Sequence, residues 1–266
     1  MRAVVAKFIP AKIKKHLFKN TVVKLLCSPR PVLTLTIILE FLFSRKIPIS
    51  FTERLTLLRR FFKIDKHLNC AHSFEEYLIP AFEILKFPSV KGHIIEAGAF
   101  KGGGTAKLSI IAKMCNRKLN VFDSFEGLPE NNEPVAHTAL GGICPFNKGD
   151  FSGSLDEVRN SVEKFGEMEI CYFVKGWFDK TMPSFKEEVI TVFCDVDLES
   201  STKICLKNMW PNLVHKGFFF SQDAHIPIVR KLFSNQDFWR DELGQNQPPP
   251  FVHFTKRFGY LRKIVN

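Results

Sequence analysis

Ile94-Ile95-Glu96-Ala97-Gly98-Ala99-Phe100-Lys101-Gly102-Gly103-Gly104 is an apolar run that closes on an acid and then on a glycine turn. A second apolar run, Leu119-Asn120-Val121-Phe122, closes on Asp123-Ser124-Phe125-Glu126-Gly127-Leu128-Pro129. Between them, Thr105 to Met114 carries its apolar residues at helical spacing. Strand, glycine turn, helix and a second strand with an acid at its tip is how an open parallel sheet builds a nucleoside pocket. The glycine spacing is neither that of a dinucleotide fingerprint, since the next glycine comes four residues after Gly98, nor that of a phosphate loop, since Gly104 runs into Thr105 without a lysine. The glycines let the backbone turn tightly against a ligand, and the following helix points its amides at it. A carboxylate immediately before such a turn suits a ligand with positive charge, such as the amino group and sulfonium of S-adenosyl-L-methionine. Asp123 can accept both ribose hydroxyl hydrogens, the favoured reading over a turn cap ahead of Gly127-Leu128-Pro129.

Outward from this stretch, strand and helix signals alternate. Strands are predicted at His93 to Ala97, Leu119 to Phe122, Ile170 to Lys175, Ile190 to Asp195 and Gly217 to Ser221, and helices at Thr105 to Met114, Leu155 to Phe165 and Thr202 to Met209. That alternation argues an α/β fold with a parallel sheet covered on both faces. After Pro248-Pro249-Pro250, Phe251 to Thr255 and Phe258 to Arg262 read as an antiparallel hairpin on the sheet edge. Upstream, Phe51 to Phe62 and Ser73 to Leu85 have helical spacing, and Ser73 with Glu76 has the form of a capping box. Asn131 to Lys148, rich in Gly, Pro and Asn, reads as a mobile lid.

Two acidic clusters follow apolar strands, Asp195-Val196-Asp197-Leu198-Glu199 and Gln222-Asp223-Ala224-His225, and should meet at the carboxyl edge of the sheet. Asp195 and Asp223 can share a hard divalent cation, with Gln222 offering a neutral carbonyl. Such a metal would lower the pKa of a substrate hydroxyl. Asp197 and Ser201 read as helix caps rather than ligands. Asp195 is the favoured general base, with His225 the alternative; a lone histidine after a strand is more often a surface or hinge residue.

The formal charge of the 266 residues is +11, but Arg2, Lys7, Lys12, Lys14, Lys15, Lys19, Lys24 and Arg30 lie in a stretch without a single acid, so about +8 of it sits in the first thirty residues. The rest is near neutral, which speaks against a nucleic-acid partner and suits an enzyme. The basic stretch has an amphipathic pattern, suited to peripheral membrane contact through residues 1–30 or to packing on the core or on a second copy in a homo-oligomer. Val32 to Phe43 is apolar but interrupted by Glu40, and is about half of the roughly 20 residues a membrane span needs. No small-residue cleavage site suggests a signal peptide. Seven cysteines without a C-x-x-C pair read as reduced, buried thiols of a cytoplasmic protein.

Together, Glu96-Ala97-Gly98-Ala99-Phe100-Lys101-Gly102-Gly103, Asp123 to Pro129, Val174-Lys175-Gly176-Trp177-Phe178-Asp179-Lys180-Thr181-Met182-Pro183, Asp195 to Thr202 and the closing Gly259-Tyr260-Leu261-Arg262-Lys263 resemble the macrocin O-methyltransferase family. The resemblance runs from about Ser73 to Arg262. It implies a Rossmann-like class I methyltransferase with a mostly parallel seven-stranded sheet and a C-terminal antiparallel hairpin over residues 66–266, behind a basic amphipathic helical extension over residues 1–65. It implies S-adenosyl-L-methionine as cosubstrate, Mg2+, and a sugar hydroxyl on a small molecule or glycan as acceptor. Carried over, Glu96 and Gly98 line the methionine end, Asp123 the ribose, and Ser124, Phe125, Phe151 and Trp177 the adenine, with Ala97, Phe100 and Gly102 also binding the cosubstrate. Asp195 and Asp223 become metal ligands, with Asp195 near the attacking hydroxyl. One departure stands out: the family has two adjacent aspartates where this chain has Gln222-Asp223, which removes a negative charge and predicts weaker metal binding. A non-catalytic scaffold that keeps the nucleoside fold is the rival reading, and a phenol or a protein side chain is the rival acceptor.

Overall fold

The computed structural model describes residues 31–137 and 142–264. The chain divides into two compact units, Met1–Lys46 and Ile47–Asn266. In the first, the described part is the apolar helix α1 (Pro31–Phe43). Among the described residues no helix is long and apolar enough to cross a membrane. The basic amphipathic pattern of residues 1–30 lies outside the described residues.

The second unit opens with α2 (Phe51–His67), which starts on a complete capping box: the Glu53 amide donates to the Ser50 hydroxyl at 3.2 Å, and the Ser50 amide to the Glu53 carboxylate at 2.7 Å. The expected box at the start of α3 (Phe74–Leu85) does not form. The Phe74 amide donates instead to Asp65 Oδ2 at 2.7 Å, and Glu76 is drawn to His72. The Glu76 amide turns to the Ser73 carbonyl at 3.2 Å and the Glu76 carboxylate is held by His72, so neither half of the box closes.

There follow β1 (His93–Ala97), α4 (Gly103–Met114), β2 (Leu119–Asp123), a two-residue hairpin of β3 (Ala136–His137) and β4 (Ile143–Cys144), α5 (Leu155–Phe165), β5 (Cys171–Lys175), α6 (Phe178–Thr181), β6 (Val189–Cys194), α7 (Glu199–Met209), β7 (Leu213–Ser221), α8 (Pro227–Leu232), β8 (Val252–His253) and β9 (Gly259–Arg262). The main sheet has seven strands in the order β5-β2-β1-β6-β7-β9-β8, parallel from β5 to β7 with β9 antiparallel to both its neighbours, as expected for a Rossmann-like methyltransferase. The terminal hairpin is shorter than its sequence suggests. The Phe254 and Thr255 amides both bond the Phe258 carbonyl, which closes a turn where β8 was expected to continue.

β6 is buried at all six positions, so its sequence, Val-Ile-Thr-Val-Phe-Cys, is continuously apolar apart from Thr191 rather than alternating. On one face of the sheet Ile95, Val192, Phe219 and Leu261 pack with Leu206, Met209, Trp210 and Trp239. Each such side chain contributes about 1.5–3 kcal/mol of burial. On the other face Tyr77 stacks on Phe193 at 4.8 Å. β1 alternates between these faces, which sends Ile95 and Ala97 to the first and Ile94 and Glu96 to the second. Of the cysteines with described side chains only Cys194 and Cys205 are buried; Cys70, Cys115 and Cys171 are half-buried, and all five are free. From β1 the chain works outward to β2 and β5, then returns to β6 and β7 on the other side. That reversal opens a crevice at the carboxyl ends of β1 and β6.

Candidate active site

Three strand ends are tied together at this crevice. Gly98 has φ +91°, and a Cβ there would lie 1.9 Å from the Asp195 carbonyl oxygen, so only glycine lets the loops after β1 and β6 touch. The Asp195 amide donates to the Ala97 carbonyl at 3.0 Å, and the Gly98 amide to the Phe122 carbonyl at 3.1 Å. Asp123, the last residue of β2, accepts the Ala99 amide on Oδ2 at 2.6 Å and the Phe125 amide on Oδ1 at 2.7 Å. The carboxylate keeps a further lone pair for a ligand hydroxyl. Burial lifts the Asp123 pKa, and its backbone hydrogen bonds oppose the rise.

The crevice is a pocket of about 410 Å3. Of the residues expected from sequence, Gly98, Phe100, Asp123, Ser124, Phe151, Trp177, Asp195, Asp223 and His225 line it; Glu96, Ala97, Gly102, Phe125 and Gln222 do not. Ala97 faces the core cluster beneath the sheet. Gly102 has φ +82°, and a Cβ there would meet Val158 and Ser161, so it is spent on the packing of α4 against α5. Phe125, at φ +59°, sits in the turn that Asp123 Oδ1 closes. Glu96 is sealed behind the glycine turn at 1 % exposure with Oε2 unpartnered; burial, helped by the Asp123 and Asp195 charges, pushes its pKa up to about 8. Phe100, Phe151 and Asp197 all hold positive φ on the pocket wall. Such strain in bulky residues clusters at ligand sites. The rings of Phe100 and Phe151 meet edge to face at 6.5 Å, and Phe151 and Trp177 are 52 % and 38 % exposed, leaving aromatic faces open beside Ser124.

His72 was not singled out by the sequence, and it stands at the centre of the acidic side. The loop that carries it is pinned from below: fully buried Lys107 donates to the His72 carbonyl at 3.1 Å and pairs with Asp65, which also holds the Phe74 amide. His72 Nε2 lies 2.8 Å from Asp195 Oδ2, and Nδ1 lies 3.2 Å from Glu76 Oε2. Burial opposes its charge, but Asp195 and then Glu76 outweigh it and raise the pKa to about 10. The one sequence signal was the four-residue spacing from His72 to Glu76, which is common on any helix start. Asn69, Ala71, Phe146 and Arg257 also line the pocket without having been expected.

His225 is the opposite case. Burial, then Arg257, lowers its pKa to about 4, and Nδ1 has no partner, so it presents a neutral imidazole. Asp223 Oδ2 accepts the Val196 and Asp197 amides at 3.0 and 3.1 Å; burial and then Asp195 raise its pKa to about 7. Asp197 and Ser201 do not cap α7. Leu198 occupies the N-cap, and Glu133 reaches over from the loop after β2 to accept the Glu199 and Ser200 amides at 2.9 and 2.8 Å. Part of the expected lid is thereby tied to α7; residues 138–141 lie outside the described residues.

The expected metal set fits a divalent cation poorly. Gln222 is 0 % exposed and does not line the pocket, one oxygen of Asp195 is taken by His72, and one oxygen of Asp223 carries two amides. Among the described residues no group of three or more His, Cys, Asp or Glu side chains is placed to hold a metal ion.

Comparison with known proteins agrees with this architecture. A tetracenomycin-type relative from Streptomyces olivaceus, 8-demethyl-8-(2,3-dimethoxy-alpha-L-rhamnosyl)-tetracenomycin-C 4'-O-methyltransferase, is 29% identical over 164 residues, covering 60% of this chain and 62% of that protein. The match therefore spans less than two thirds of that relative. Among solved structures, the O-methyltransferase NovP superposes with a TM-score of 0.61 at 18% identity over 88% of this chain and 100% of that one. The calicheamicin methyltransferase CalS11 gives 0.58 at 19% identity over 88% and 93%. These two structures establish the fold. Residues 77–248 match the model of the Macrocin-O-methyltransferase (TylF) family. Because that stretch takes in β1, β2, β6 and β7, the four strands whose ends build the pocket, the chain belongs to the macrocin O-methyltransferase family.

Proposed function

We propose that this protein transfers a methyl group from S-adenosyl-L-methionine to a sugar hydroxyl of a small molecule or glycan. The observation that carries the reading is the convergence of Gly98, Asp123 and Asp195 at the sheet's switch point, around a pocket lined by Asp123, Asp150, Asp195, Asp197 and Asp223 against His72 and Arg257. A cationic cosubstrate relieves that imbalance. When bound, it supplies an electrophilic methyl on a positively charged sulfur.

The residues fit such a molecule. Asp123 has lone pairs for the ribose hydroxyls, and Gly98 permits close backbone approach. Ser124, Phe100, Phe151 and Trp177 offer the flat, partly apolar surface an adenine needs. On the acceptor side Asp195 and neutral His225 are the two groups able to take the hydroxyl proton. Holding acceptor and methyl donor in line supplies on the order of several kcal/mol, and proton removal adds about 10²–10⁴-fold. A sugar acceptor is supported by the rhamnosyl group in the name of the Streptomyces olivaceus relative. The family match and the retained Glu96, Asp123 and Asp195 favour turnover over a non-catalytic scaffold.

The acid-free basic stretch supports a cytoplasmic enzyme held at the membrane periphery by residues 1–30. Liposome flotation of the full chain and of the chain lacking residues 1–30 tests this, and equal flotation sinks it. For the cosubstrate, calorimetric titration with S-adenosylhomocysteine should give micromolar binding that Asp123→Ala abolishes. No binding to the unmodified protein would overturn the methyltransferase reading.

A further inference from the structure

We propose that this protein works without a divalent cation, the positive charge beside Asp195 and Asp223 coming from its own His72 and Arg257. The inference rests on the methyl-transfer reading for its meaning, but the evidence for it is geometric and independent of any acceptor.

Both ring nitrogens of His72 face carboxylates, Asp195 Oδ2 at 2.8 Å and Glu76 Oε2 at 3.2 Å. An ionised carboxylate only accepts, so a ring placed between two of them carries a proton on each nitrogen and is a cation. Arg257 Nη1 lies farther off, 3.5 Å from Nδ1, and its guanidinium lines the same pocket. Arg257 is anchored there by the Ala224 amide, which donates to its carbonyl at 3.0 Å and ties it to the end of β7. Two fixed cations thus stand on the acceptor side of the acids.

A metal at this place could reach only the second oxygen of Asp195 and would sit against the charge of His72 on the first. Like charges held at a few ångströms in a half-buried site repel strongly. The third position that a metal would use is also unsuited. Gln222 brings no charge, and both its amide atoms are buried without a hydrogen-bond partner, in a residue that does not line the pocket. The exchange is internally consistent: where Gln222 removes a negative charge from the acid cluster, His72 supplies a positive one, locked in place by buried Lys107 and Asp65. His72 is accordingly a positioning residue, orienting Asp195 for the acceptor hydroxyl rather than touching the reacting atoms.

The test is Mn2+ binding followed by electron paramagnetic resonance on the full chain, with and without S-adenosylhomocysteine. The expected result is no saturable Mn2+ binding below millimolar concentration. S-Adenosylhomocysteine affinity should be unchanged within twofold by EDTA or by Mg2+. Ring 15N shifts of His72 should be those of an imidazolium at neutral pH and should not move on adding Mg2+. The variant His72→Ala, which frees Oδ2 of Asp195 and removes the neighbouring positive charge, should gain Mn2+ binding by at least tenfold. Stoichiometric, micromolar Mn2+ binding by the unmodified protein overturns the proposal, and so does a His72 signal broadened by Mn2+, which would make the imidazole a ligand. Failure of S-adenosylhomocysteine to bind is a separate result, which strikes the functional reading and leaves the Mn2+ outcome standing by itself. If His72→Ala does not fold, the measurements on the unmodified protein decide alone.

Discussion

Asp195 and Asp123 are both acids at strand ends, and their surroundings assign them different work. Asp123 is tied down by two backbone amides on the cosubstrate side. Asp195 instead meets a cationic imidazole on the acceptor side and leaves its second oxygen to the pocket. Asp195→Asn should therefore lower turnover about 10²–10⁴-fold while leaving the S-adenosylhomocysteine dissociation constant within a few-fold. A loss of both in parallel, measured by calorimetry beside a methyl-transfer assay, would show that the residue serves cosubstrate binding instead. Asp123, Asp195 and the glycine turn were readable in sequence because each follows an apolar run at a strand end. His72 was not, since it becomes a partner of Asp195 only when a loop 123 residues away in sequence is folded across the sheet.

At the level of elements, the most consequential contact is one no local pattern predicts. α7 begins at Glu199 with leucine at its N-cap, and its first free amides are satisfied by Glu133 from another part of the chain. Removing an N-terminal cap costs about 1 kcal/mol, which lowers the melting temperature by about 2–4 °C in a domain of this size. Glu133→Ala should show that drop by calorimetry, and an unchanged melting curve would mean that water replaces the cap without loss. Lys107→Met should be far worse, by about 3–5 kcal/mol, because it strands the buried Asp65 carboxylate. The Lys107→Met, Asp65→Leu double variant should recover much of that loss in the same chemical-denaturation measurement. The capping box proposed at Ser73 failed for a related reason: local spacing allowed it, but the Glu76 carboxylate is drawn to His72 instead of back to Ser73.

Across the whole molecule, the gathering of buried titratable groups makes stability depend on pH in a defined direction. Between its ordinary 4.5 and about 8, folded Glu96 keeps a proton that the unfolded chain has released, so stability falls as pH rises through that window. Asp223 acts in the same direction between 3.8 and about 7, and His72 between 6.5 and about 10. His225, depressed to about 4, acts oppositely, and only below 6.5. The melting temperature should thus fall steadily from pH 6.5 to pH 10, and Glu96→Gln should flatten the part below about 8. A flat profile for the unmodified protein over that range would show that these groups titrate as they do in water. Several features of the whole were decided by sequence alone: the parallel sheet, the order of its strands' chemistry, the glycine turn, and the acids at the tips of β2 and β6. All of these are local, because burial on both faces writes continuous apolar runs and because only glycine permits the turn. Which acids face the pocket, which are sealed behind it, and which cation neutralises them was decided only by tertiary structure. Strand pleating sends Glu96 into the core while the neighbouring backbone reaches the ligand, and charge compensation acts through space, between residues whose separation along the chain carries no information.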